Sequence, residues 1–231
     1  MLLAAGLGVW LIADRSSLLA DYATHLRETR TVPLADGSRV DLGPDTAIDI
    51  DMKGGARRIL LRAGRAFFRV TRDPAGRPFE VVAGDATVTV LGTAFEVDRR
   101  DDGSTTVTVS EHAVSVQTRA GRMFTVREGS RLVLDATGAF GAILPLNVAH
   151  VAAWRRGQLV AEGEPLNEVL AALSHYRRGW ILTPGEDLSD ISVNAVLDLN
   201  DSDASLHALS AAAPIRIRSF TPYLTVVAAG N

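Results

Sequence analysis

The chain has no cysteine, and its 24 basic residues are 23 arginines and a single lysine, Lys53. Without cysteine it can form neither a disulfide framework nor a thiolate metal site, so its own core must hold the fold; the compartment stays open, because exported bacterial proteins also lack cysteine. The arginine bias and the abundant alanine reflect genome composition rather than a site. Basic charge is also in short supply: the net charge is −3 and the pI about 6.0. Nucleic-acid binders usually carry a basic face, so nucleic acid is excluded as a partner. The five histidines, His25, His112, His150, His175 and His207, are scattered with no i,i+4 pair and no carboxylate cluster beside them, so no metal or cofactor motif is present. What is abundant is apolar matter, 47% of residues against 22% charged, which rules out a disordered chain. A length of 231 residues fits one large domain or two small ones.

A long hydrophobic run is missing too. The uncharged stretch Leu2 to Ala13 is twelve residues and ends at Asp14-Arg15, whereas a bilayer-spanning helix needs about 20. No basic region precedes it, as a secretory signal would require. The expectation is the latter part of a membrane helix over residues 1–20, with Trp10 and Arg15 at the interfacial border. A buried N-terminal core helix is the alternative.

From residue 30 the apolar period becomes two. In "VPLADGSRVDL" a three-residue loop, Asp36-Gly37-Ser38, would pair Leu34 with Val40 and Val32 with Leu42 on one face. Strand-like runs follow at Ala47 to Met52, Arg58 to Arg62, Ala66 to Thr71, Phe79 to Val82, Ala86 to Leu91, Ala94 to Asp98, Thr105 to Ser110, Ala113 to Thr118, Met123 to Val126 and Arg131 to Leu134. Gly54-Gly55, Pro74-Ala75-Gly76, Asp101-Asp102-Gly103, Ala120-Gly121 and Glu128-Gly129 separate some of them. Short strands at this spacing predict an all-β roll, solenoid or sandwich over 30–140. Arg77-Pro78 reads as the end of a loop and the start of an edge strand.

Residues 141–156 read as a junction in which Arg155 and Arg156 follow Trp154. Beyond it Leu166, Val169, Leu170, Leu173 and Tyr176 recur at helical spacing, with Pro165 at the start and Gly179 past the end. Strands at Trp180 to Thr183 and Ile191 to Leu199, a helix capped by Asp201 or Ser202, and strands at Ile215 to Arg218 and Tyr223 to Val227 complete a small α+β domain over 157–231, built as two βαβ repeats. The fold class is thus mainly β followed by α+β.

The segments "VPLADGSRVDLGPDT", "LRAGRAFFRV", "RPFEVVAGDATVTVLGTAFEVD", "VTVSEHAVSV" and "AAWRRGQLVAEGEPLNEVLAALSHYRR" resemble, in order, the signature segments of the FecR family. Residues from about 157 are similar to the short N-terminal domain shared by secretins and TonB-dependent receptors. The resemblance implies a β-solenoid-like or β-roll domain in a single-pass inner-membrane regulator with its bulk in the periplasm. It implies signalling from an outer-membrane TonB-dependent receptor, through that receptor's signalling domain, to an extracytoplasmic-function sigma factor, with iron-siderophore uptake the commonest process. The sigma factor would be held through a cytoplasmic segment missing here, and the membrane engaged through residues 2–13. An extracytoplasmic module binding a glycan or protein scaffold is the alternative function.

Two candidate sites follow. In "VLGTAFEV" the alternation on both sides is apolar, and Gly92 reads as a bulge or corner where a missing Cβ lets backbone approach backbone. The resemblance adds that some family members cut themselves at this Gly-Thr bond; Thr93 would be the nucleophile and the Gly92 carbonyl the electrophile, with Glu111 and His112 nearby candidates for a base. No other enzymatic constellation is visible. In the C-terminal domain, Trp180, Ile181 and Val193 mark the strand region expected to bind a partner through an exposed sheet edge.

Overall fold

The computed structural model describes residues 19–53, 55–185 and 187–230, so the expected membrane segment at 2–13 lies outside the described residues. Among the described residues no helix is long and apolar enough to cross a membrane. The chain divides into two compact units, Met1–Ala152 and Ala153–Asn231.

Alternating burial builds the first unit from short strands: β1 (Tyr22–Ala23), β2 (Arg30–Pro33), β3 (Arg39–Leu42), β4 (Ala47–Asp51), β5 (Arg58–Arg69), β6 (Phe79–Ala83), β7 (Ala86–Val90), β8 (Ala94–Arg99), β9 (Thr105–Glu111), β10 (Ala113–Thr118), β11 (Met123–Arg127), β12 (Ser130–Leu134) and β13 (Phe140–Pro145). They form two leaves that share β5. One leaf runs β1-β4-β5-β6-β7-β10-β11 and the other β2-β3-β5-β8-β9-β12-β13. After β5 the hairpins β6-β7, β8-β9, β10-β11 and β12-β13 alternate between the leaves, and among the described residues of this unit only β5–β6 pairs in parallel. Between the leaves lies a core of β-branched and aromatic residues. Its centre is Phe68, stacked on Phe95 at 5.1 Å and edge-on to Phe79 at 6.3 Å, each ring contributing about 1.5–3 kcal/mol by burial.

Several expectations need correction. Arg58 to Arg62 and Ala66 to Thr71 are one strand, β5, which bends from one leaf to the other at Gly64 (φ +80°). Val32 pairs with Val40, not Leu42, so the register is shifted by two residues, which keeps the same face inward. The loop is Ala35-Asp36-Gly37 because the left-handed residue, Gly37 (φ +83°), must close it. Strand β6 lies between β5 and β7 rather than at an edge, and Pro78 escapes the ladder by preceding it. Phe140–Pro145, expected to open the junction, is an edge strand paired with β12. It shows no alternation because both its faces are largely exposed.

The second unit follows the order β14 (Gln158–Pro165), α1 (Leu166–Ser174), β15 (Trp180–Leu182), β16 (Ser192–Asp198), α2 (Ser202–Ala212), β17 (Ile215–Thr221) and β18 (Leu224–Ala229). Helix α1 buries Leu166, Val169, Leu170 and Leu173, the stripe set by its 3.6-residue period. Asp201 caps α2 by accepting from the Ala204 N–H at 2.9 Å. The strands make two separate sheets, β14-β16 and β15-β18-β17.

Candidate functional site: a corner groove in the β roll

The segment Leu91-Gly92-Thr93 carries the chain from β7 in one leaf to β8 in the other. A Cβ on Gly92 would meet Arg72 Cβ at 3.1 Å and Arg72 Cα at 3.3 Å. Glycine therefore supplies room here, not a left-handed φ, and the expected close approach is to the segment following β5. Thr93 locks the crossing on its other side, its carbonyl accepting from the Val70 N–H at 2.9 Å.

The Thr93 side chain is the anomaly. It is buried, yet its Oγ1 has no hydrogen-bond partner, an arrangement that costs about 1–3 kcal/mol and calls for an explanation. The corner opens onto a groove of about 950 Å³ lined by Arg69, Arg72, Gly92, Thr93, Glu111 and His112 among others. The structure thus brings the expected nucleophile, electrophile and both candidate bases to one groove. It does not bring a base into hydrogen-bond contact with Oγ1. His112 takes a left-handed φ of +64° at the β9–β10 turn, and its backbone N–H donates to Glu128 Oε2 at 3.1 Å.

A second cluster secures the "ADGS" loop. Asp36 accepts from the Ser38 N–H and Ser38 Oγ, both at 2.9 Å, and pairs with buried Arg57 at 3.0 Å. Arg57 also donates to the carbonyls of Thr71 (2.9 Å) and Arg77 (2.6 Å) and lies over the Phe79 ring. The loop is a structural clamp, and Arg57 could not be read from local pattern because its partners are 14 to 21 residues away. Arg77, a tempting ligand for substrate, instead holds Asp73 through a side-chain hydrogen bond, which lowers the Asp73 carboxyl to about 2. Asp36→Asn keeps an acceptor but leaves Arg57 without its countercharge, so a loss of about 1–2 kcal/mol is expected in denaturant unfolding.

Residues 20–115 match the family model described as FecR protein. That segment resembles a FecR domain. No curated protein matches the chain by sequence. Two crystal structures of a "putative anti-sigma factor" from Parabacteroides distasonis ATCC 8503, at 1.65 and 2.50 Å resolution, superpose on it with a TM-score of 0.81 and 25% identity. They cover 91% of this chain and 99% and 98% of theirs. The comparisons support a FecR-like regulatory role.

The Gly92-Thr93 corner and the Asp36–Arg57 clamp both lie within the segment that matches the FecR model. The three residues expected to bind a partner lie beyond it and do not form one surface. Trp180 stands in solvent at 72% exposure, Ile181 is half-buried, and Val193 is buried at 2% on β16 of the other sheet. Val193 is therefore core: the alternation of β16 turns it inward, so the expectation that it contacts a partner is corrected.

Proposed function

We propose that this chain is the signal-receiving part of a FecR-like transmembrane regulator. It relays the state of an outer-membrane TonB-dependent transporter to an extracytoplasmic-function sigma factor, with residues 2–13 at the inner membrane and the bulk in the periplasm. The FecR domain, together with the likeness over 91% of the chain to an anti-sigma-like structure, carries the reading. The strand-helix order of the second unit is consistent with a likeness to the secretin and TonB-receptor short domain, whose counterpart on the receptor would be the partner. Iron-siderophore uptake is the process this reading favours. The test immobilises the full-length chain and applies the signalling domains of TonB-dependent transporters from the same genome, while a sigma-dependent reporter is followed with and without the chain's gene. Retention of one such domain and a changed reporter are expected. An unchanged reporter with no domain retained overturns the proposal, and retention of a glycan instead would assign the chain to a binding module.

Self-cleavage at Gly92-Thr93 belongs to the same proposal, and the orphaned Thr93 hydroxyl is the observation that favours it. Oγ1 attacks the Gly92 carbonyl carbon, the C–N bond breaks, and the nitrogen takes the proton, leaving an ester between the two residues. Water then hydrolyses that ester to a Gly92 carboxylate and a free Thr93 hydroxyl and amine. No turnover enzyme is proposed.

A further inference from the structure

In the sheet β15-β18-β17, strand β17 is an edge, paired only with β18 among the described residues. Its two faces differ. Ile217, half-buried, and Ser219, exposed, share one face: Ile217 pairs with fully buried Val227, and Ser219 Oγ lies 3.2 Å from Thr225 Oγ1, itself fully buried. On this side a cleft of about 300 Å³ opens between β17 and α2, lined by Leu206, His207, Ile217, Ser219 and Phe220, with Arg177 and Asp203 at its end. Arg177 is already spoken for, donating to Thr225 Oγ1 at 2.8 Å and Asp203 Oδ1 at 2.9 Å. The cleft therefore offers apolar and hydroxyl contacts rather than a free charge.

Arg216 and Arg218 occupy the other face and are exposed. Their cross-strand neighbours, Ala228 and Val226, are uncharged, and neither arginine has an ion pair among the described residues. Two cations at alternate positions stand about 7 Å apart along a strand. Charges of one sign on an open edge prevent pairing with a like strand, and the same charges select a strand of opposite sign.

We propose that β17 is a docking edge for an extended acidic segment of a partner protein. The added strand carries carboxylates at alternate positions opposite Arg216 and Arg218, and its intervening apolar or hydroxyl side chains lie over the cleft beside Ile217 and Ser219. The edge stands independently of the identity of the upstream receptor, so either reading can fail alone.

The test uses the full-length chain with a labelled peptide, Thr-Glu-Val-Glu-Val-Glu-Thr, and its lysine counterpart, Thr-Lys-Val-Lys-Val-Lys-Thr. Fluorescence anisotropy should show the acidic peptide binding and the lysine peptide not. Arg216→Glu combined with Arg218→Glu, both at exposed positions, should weaken the acidic peptide about tenfold and admit the lysine peptide. Amide hydrogen exchange should show new protection within residues 215–221 on binding. Equal binding of the two peptides, an unaffected double variant, or binding without protection of β17 overturns the proposal. So does a peptide-free dimer of the chain that the double variant abolishes, which would give the edge to a second copy.

Discussion

Gly64→Ala is expected to remove about 3–5 kcal/mol from the first unit, a large share of the 5–15 kcal/mol that holds a typical domain together. Two costs add. The residue sits at φ +80°, where a side chain costs about 1–2 kcal/mol. A Cβ built there would also lie 2.5 Å from Thr46 Oγ1, 2.6 Å from the Asp45 carbonyl oxygen and 2.7 Å from Thr46 Cα. Two of those atoms are backbone and the third is fixed: Thr46 Oγ1 accepts from the Arg65 N–H at 3.0 Å and donates to the Pro44 or Arg65 carbonyl, each at 3.1 Å. The Thr46 N–H is itself held by Thr24 Oγ1, which donates to the Gly43 carbonyl at 2.6 Å. Nothing there is the free end of a side chain, so relief requires moving the corner at which β5 changes leaf. Hydrogen exchange followed through β5 peptides reports the first unit alone and should show its protection collapse. Gly121→Ala is the control, with a similar φ of +80° but nothing within 4 Å of the added carbon. It should cost only the conformational part, about 1–2 kcal/mol. Equal losses in the two variants would mean that the packed corner around Thr46 contributes nothing.

That corner also marks where the sequence stops being informative. Strand positions were legible because alternation is a local property, and almost every expected run in 30–140 is a strand. The joining of Arg58 to Arg62 with Ala66 to Thr71 was not legible, since Ala63-Gly64-Arg65 breaks the pattern and looks like a turn. The contact that makes it a bend inside one strand comes from Thr46, eighteen residues earlier. The shifted hairpin has a related cause: apolar parity fixes which face is inward but leaves a slip of two residues undecided, and the position of Gly37 decides it. At the candidate site, Gly92 was readable as a corner, whereas Arg72, the residue that requires it to be glycine, was not. In the second unit, strand formers could be recognised but not sorted into Val193 facing the core and Trp180 facing water, because that depends on which helix covers which face.

Thr93 separates the structural role of the corner from its proposed chemistry. Wild-type protein should migrate in denaturing conditions as two fragments split between residues 92 and 93. Thr93→Ser should still cut, because the hydroxyl remains. Thr93→Val should not cut, and it should gain about 1 kcal/mol in stability, since the valine fills nearly the same volume while removing a buried hydroxyl that has no partner. A purely structural threonine predicts the same gain in stability but no fragments in any of the three proteins, so an intact wild-type mass sinks the cleavage proposal while leaving the fold reading untouched. Cutting should not release the pieces. Strands on either side of the bond pair across it in both leaves: β7 pairs with β10 from Thr89 to Ala86, and β5 pairs with β8 from Gly64 to Arg69. The Phe68–Phe95 stack joins the same two fragments inside the core. Size-exclusion chromatography in native buffer should therefore return one particle containing both fragments, which separate only when denaturant breaks the ladders. A single cut at this corner would remove the covalent link between the two fragments and leave the paired strands and the shared core to hold them, so that separating the fragments becomes a matter of applied force or partner binding rather than of peptide-bond chemistry.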